Sequence, residues 1–183
     1  MGCIFSSHQK NKIDLVQYNI NNTSKFSLNK LFTDARVVDI YDGDTCTCII
    51  PLFDSCYQFT IRLADIDTCE IKSKNIENKQ LALEARKLLC QLISDDFNNI
   101  DCNITRKELS HKLNEKSYII KLKCGEFDKY GRLLGLLYNK DALVDISIDE
   151  SFNHIMINKK LAYQYEGKTK LTEEEQIDLL KNK

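Results

Sequence analysis

The chain has 183 residues, 43% of them hydrophobic and 29% charged, with a net charge of −1, which suits one domain with a real core plus an appendage. A near-neutral chain does not coat nucleic acid along its backbone, although turnover of nucleic acid needs only local positive charge. One proline and six glycines exclude a collagen-like or wholly disordered chain, and the absence of any apolar run of about 18 residues predicts no membrane-spanning helix.

The amino terminus, Met1-Gly2-Cys3-Ile4-Phe5-Ser6, fits the signature for N-myristoylation of Gly2. Cys3 stands beside it, where palmitoylation would add a second chain. One myristoyl chain binds membranes only marginally, whereas two anchor stably. A glycine at position 2 with a serine at 6 also arises by chance. Residues 7–30 are rich in Asn, Ser, Lys and Gln and read as a polar tether, with a short strand allowed near 26–32. The first thirty residues lack the apolar core of an export signal, so the eight cysteines are expected to stay reduced. With no C-x-x-C pair and three scattered histidines, zinc is not expected. Most of the thiols are read as small core hydrophobes.

The folded part is expected over residues 35–183, with 1–34 as lipidation signal and tether. Residues 35–40 read as a strand through Val37, Val38 and Ile40. Asp42-Gly43 then carries the usual two-residue hairpin signal. A second strand alternates Cys46, Cys48 and Ile50 against Thr45, Thr47 and Ile49. After a turn at Pro51 the third strand places Tyr57, Phe59, Ile61 and Leu63 on one face and Gln58, Thr60 and Arg62 on the other. Residues 78–95 are the clearest helix: Leu81, Ala85, Leu88, Leu89 and Leu92 form its apolar face, with Arg86 among the polar residues opposite. Residues 95–117 read as a polar surface insertion, with a possible strand through Ile100, Cys102 and Ile104. Two more strands cover 118–124 and 133–138, joined by a loop with Gly131 at positive φ. Helices follow at 151–162 and after Thr172, where Thr172 and Glu175 form a capping box. Three strands, a helix, two strands and a helix give a mainly β α+β fold, a five-stranded OB-type Greek-key barrel with helices after strands three and five.

The acids gather where strands end. Asp65, Asp67 and Glu70 put three carboxylates within six positions, just behind the strand arginine Arg62. Two readings fit this stretch: an exposed acidic turn with a loose Arg62–Glu70 ion pair, or a site that holds a hard cation and works on phosphate.

Three separated pieces then share one logic: D-G-D-T at 42–45, R-L-A-D-I-D-T-C-E at 62–70 and D-K-Y-G-R at 128–132. In this order they resemble the staphylococcal nuclease (thermonuclease) family, which shows D-G-D-T after its first strand, R-L-x-x-[IV]-D-T-P-E out of its third and D-x-Y-G-R before its fifth. The resemblance covers about residues 35–162, ends on a helix through Phe152, and looks like that of the family's lipidated, membrane-anchored members. It implies a calcium-dependent endonuclease that hydrolyses DNA or RNA and leaves 3′-phosphates. By the same resemblance Asp44, Asp67 and the carbonyl of Thr68 would hold Ca2+, and Glu70 would activate water. Arg62 and Arg132 would bind the scissile phosphate, while Lys129 and Tyr130 would touch the nucleotide. Each of Arg62, Glu70 and Arg132 is expected to be dispensable for folding. A monomer on the cytosolic face of a membrane is expected.

The sequence departs from the family at Cys69, where proline is usual, and at Lys160, near the glycine that usually ends the helix. Residues 95–117 are longer than the family suggests, and the end after Tyr165 is short. A non-catalytic barrel that binds nucleic acid or protein is the alternative, and an adaptor for membrane delivery a third. The joint presence of Arg62, Glu70 and Arg132 beside Asp44 and Asp67 favours the enzyme, because a binding module has no need of that set.

Overall fold

The computed structural model describes residues 13–181; Gly2 and Cys3 lie outside them. The strands β1 (Phe32–Ile40), β2 (Thr45–Leu52) and β3 (Ser55–Leu63) form an antiparallel meander. The two-residue β4 (Ile66–Asp67) follows, then α1 (Ile76–Ile93), α2 (Arg106–Glu115), β5 (Tyr118–Phe127) and β6 (Leu133–Tyr138). The chain ends with α3 (Phe152–Asn158), β7 (Tyr163–Gln164) and α4 (Glu173–Lys181). Five strands close a barrel in the order β1-β2-β3-β6-β5, with β1 pairing back onto β5 and β3 running parallel to β6. This is the expected mainly β OB-type barrel.

Alternation builds its core. Cys46, Cys48 and Ile50 of β2 point inward. In β1 a bulge between Val37 and Asp39 inserts one residue, so Val37 and Ile40 both face in although they lie three apart. Asn75 caps α1 by accepting from the backbone of Glu77 and Asn78. The helix then lays Leu81, Ala85 and Leu89 against the interior. Five of the seven described cysteines are buried and all seven are free thiols. Gly131 has the expected positive φ of 80°, and the Thr172–Glu175 capping box is formed. Lys160, at φ 57°, takes the left-handed conformation that glycine adopts most easily where α3 ends.

Other expectations change. The outer half of β3 extends beyond the core, so Tyr57 is exposed and Phe59 only half-buried, while Ile61, Arg62 and Leu63 are all buried. Arg86 is also buried; its guanidinium donates to the carbonyl of Ile104 and fastens the segment after α1. No strand runs through Ile100–Ile104. Residues 95–97 form a 3-10 turn, and α2 sends Leu109 and Leu113 fully into the core behind a Thr105–Glu108 capping box. Polar and charged residues outnumber these two leucines in the sequence and hide their helical spacing. Phe26 packs against Phe53 and Phe127, Leu28 is buried, and Lys30 donates its amide to Cys124. The polar tail is therefore held on the barrel from Phe26 onward.

Candidate active site

The turn between β1 and β2 is closed by Tyr41 N donating to Thr45 O at 2.9 Å, and Asp42 Oδ1 accepts from Asp44 N at 3.1 Å. Gly43 is not at positive φ, so the two-residue hairpin expectation fails here. The glycine serves close approach instead: a Cβ at that position would lie 2.6 Å from Ala85 Cβ and 3.0 Å from Thr68 Cγ2. The turn thus seats against α1 and against the segment that follows β3. Burial, and next the neighbouring charge of Asp44, push the Asp42 carboxyl up to about 7.

Arg62 stands opposite Thr45 in the β2–β3 ladder. Its guanidinium is buried, 6% exposed, and bridges two carboxylates: Nη1 lies 3.0 Å from Asp44 Oδ1 and Nη2 2.6 Å from Asp67 Oδ1. Asp67 is fully buried because β4 pairs it with Tyr163 of β7. The Tyr163 hydroxyl donates to Asp67 Oδ2; burial first, and then that bond, raise the tyrosine pKa. Thr68 donates both its amide, at 3.0 Å, and its hydroxyl, at 2.9 Å, to Asp44 Oδ2. Thr45 Oγ1 donates to Asp44 Oδ1 at 2.9 Å.

Glu70 ends this stretch and faces solvent, its side chain 55% exposed. Its amide donates to Asn78 Oδ1 at 3.2 Å, and Asn78 in turn donates to Gln176 of α4. Cys69 packs with Leu81, Ala82, Tyr163 and Leu180. Burial first, then the charges of Asp67, Glu173 and Glu70, push its thiol up to about 12, so it stays protonated. The position usually held by proline is therefore fixed by packing. The loose Arg62–Glu70 pair is not formed. Glu70 instead pairs with Lys170, whose Nζ lies 3.1 Å from Glu70 Oε1 and 2.9 Å from Asp67 Oδ1. Burial works against that ammonium, but the bonds to Asp67 and Glu70 outweigh it and raise the lysine pKa. Asp65 is exposed at φ 61° and stays outside the cluster.

Arg132 sits one residue before β6. The parallel register pairs Arg62 with Leu134, so alternation puts Arg132 on the face that Arg62 occupies. Asp128 accepts from Arg132 Nε at 2.7 Å and from the amides of Tyr130 and Arg132 at 2.9 Å. Burial would raise the Asp128 carboxyl, yet the hydrogen bonds from Arg132 and Tyr130 hold it below the usual carboxylate value. The terminal nitrogens of Arg132 make no hydrogen bond among the described residues. Tyr130 is 73% exposed, with Lys129 and Arg132 over its ring. Asp44, Arg62, Asp67, Thr68 and Glu70 thus form one connected cluster. Lys129, Tyr130 and Arg132 form a second, and no hydrogen bond or ion pair among the described residues joins the two.

Lys170, Tyr163, Asn78 and Gln176 complete the first cluster without having been singled out in the sequence. Tyr163 carries a faint signal, since it follows the helix that ends the family-like stretch. Lys170 carries none: it lies 100 residues from Glu70.

The donor set is oxygen only, as hard cations require. Among the described residues no group of three or more His, Cys, Asp or Glu is placed to hold a metal ion. The structure brings together the carboxylates of Asp44 and Asp67 on one guanidinium, and water would supply the rest of a cation's shell. Asp44 already accepts four hydrogen bonds or ion contacts and Asp67 three. Since a carboxylate has about four lone-pair sites, a cation at Asp44 would require donors to rotate away. The threonine hydroxyls are the ones able to do so, as is Lys170 at Asp67.

The structure is a small closed OB-type barrel with a buried cluster of two aspartates and one arginine at the end of its third strand. A family model described as staphylococcal nuclease homologue matches residues 60–183, well over half of the chain. The chain belongs to that family. The match begins inside β3, so Asp44 precedes it, and the contacts to Arg62 and Thr68 tie Asp44 to the matched region. No curated protein matches the chain.

Proposed function

We propose that the protein is a calcium-dependent endonuclease that hydrolyses phosphodiester bonds of DNA or RNA. The observation that carries this reading is the convergence of the Asp44 and Asp67 carboxylates on one buried guanidinium, with the half-exposed Glu70 beside them. The carboxylates of Asp44 and Asp67 and the carbonyl of Thr68 would hold Ca2+, which when bound neutralises charge at the phosphate and orients water. Glu70 reaches solvent and is not a tight ligand, so it can accept the proton of an attacking water. The terminal nitrogens of Arg132 offer a fork of donors to phosphate oxygens. Arg62 adds positive charge from the barrel side. The exposed ring of Tyr130 gives a base a surface to stack on, and Lys129 adds charge for the backbone.

Fragments from single-stranded DNA or RNA digested in calcium are expected to carry 3′-phosphates. End-group analysis with a 3′-phosphatase followed by polymerase extension checks this. Products that extend without phosphatase treatment would overturn the proposed bond cleavage.

The reading extends to location. Gly2 and Cys3 would be acylated and hold the domain on the cytosolic face of a membrane. Lys10 and Lys12 are too few for a strong basic patch, so the lipids would decide. Wild-type protein is expected in the membrane fraction, Cys3→Ser partly released, and Gly2→Ala soluble. In vitro cleavage should be equal in all three. Membrane association that survives Gly2→Ala would show that something other than lipid holds the protein.

A further inference from the structure

Lys170 is the one member of the Asp67 shell that can leave it. Arg62 reaches Asp67 from β3 and is buried; Tyr163 is buried and fixed in register with Asp67 by the β4–β7 ladder. The Lys170 side chain is 47% exposed, on a long flexible stem between β7 and α4. The backbone on either side is tied down, by Tyr165 N to Asp65 O at 2.9 Å and by Gln176 Nε2 to Leu171 O at 3.2 Å. Release therefore needs only side-chain rotation.

The ammonium also stands at a chemically significant point. It touches the carboxylate assigned above to the cation and the carboxylate assigned to the base, at 2.9 and 3.1 Å. One positive charge satisfies both. We propose that Lys170 is a resident counter-cation that caps the site, occupying the space between Asp67 and Glu70 until a divalent cation displaces it. This rests on the calcium reading given above. In the capped state Glu70 is paired and cannot serve water, so uncapping frees the metal ligand and the base together. The protein is then self-inhibited at low calcium without any change of fold. The displaced ammonium stays close enough to meet an incoming phosphate.

Capping lowers the apparent affinity for calcium by the fraction of molecules that stand open. If about a tenth are open, removing the ammonium tightens the apparent Kd about tenfold. Calorimetric titration of CaCl2 into wild-type, Lys170→Met and Lys170→Arg protein, without nucleic acid, tests this. Lys170→Met is expected to bind calcium about tenfold more tightly, and Lys170→Arg, which keeps a cation there, to stay near wild type. In chelator Lys170→Met should also melt below wild type, with a larger upward shift when calcium is added. Should the methionine variant fail to fold, as judged by circular dichroism, Lys170→Gln carries the same expectation. Equal or weaker calcium binding by a folded Met or Gln variant, beside a wild type that binds, overturns the cap alone. Absence of binding in wild type and variants alike overturns the calcium reading itself, and the cap with it.

Discussion

Arg62→Ala is expected to destabilise the fold by about 3–5 kcal/mol, the usual cost of removing one partner from a buried ion pair. The guanidinium lies between Asp44 and Asp67, and both carboxylates are almost wholly shielded from water. Without it two buried like charges face each other with only Lys170 and neutral donors left. A domain of this size has about 5–15 kcal/mol in total, so the loss is large. The sequence alone suggested that Arg62 could be removed without harm to folding; its burial revises that expectation. Urea unfolding in chelator measures the change. Asp67→Asn introduced together with Arg62→Ala should restore part of the loss, and calcium should stabilise Arg62→Ala more than wild type, because its aspartates are less neutralised. A single variant as stable as wild type would show that the bridge contributes nothing.

Arg132→Ala is expected to behave in the opposite way: stability close to wild type, cleavage lower by on the order of 10²–10³, the typical loss for one donor to developing charge. Two-thirds of its side chain is covered, yet its terminal nitrogens have no partner among the described residues. Asp128 loses one side-chain donor and the exposed Tyr130 ring one cation, and the carboxylate keeps its two backbone amide donors. Arg132→Lys should recover little, because an ammonium cannot reproduce the planar fork. Comparing kcat/KM with the melting curve separates the two arginines: one holds the site together, and the other is expected to act mainly on substrate. Cleavage by a folded Arg132→Ala protein within a few-fold of wild type would remove its assigned role.

The barrel was legible because its strands alternate plainly: Cys46, Cys48 and Ile50 announce β2, and Leu81, Ala85 and Leu89 announce α1. The cluster was legible in its local part. Asp44, Arg62, Asp67, Thr68 and Glu70 sit in two short stretches, and the structure brings all five together. What stayed hidden comes from distant chain. Tyr163 and Lys170 reach Asp67 only because β7 pairs with β4 and α4 packs on α1 through Leu81 and Leu180. A two-residue strand leaves no alternation to read. Gly43 is a related case: Asp-Gly marks a turn by itself, whereas the contact that demands glycine lies with Ala85 on a helix distant in sequence. Leu109 and Leu113 were lost among polar neighbours, and only the closed core shows where they go.

Cleavage of single-stranded DNA and of RNA by the purified protein, in calcium and in excess chelator, is the most direct test of the proposal that Asp44, Asp67 and Glu70 serve a metal-dependent phosphodiesterase. Cutting in calcium, its loss in chelator and its return when calcium is restored is the predicted result. Magnesium, smaller and reluctant to dehydrate, should support little turnover. Cleavage that continues undiminished in excess chelator would contradict the assignment.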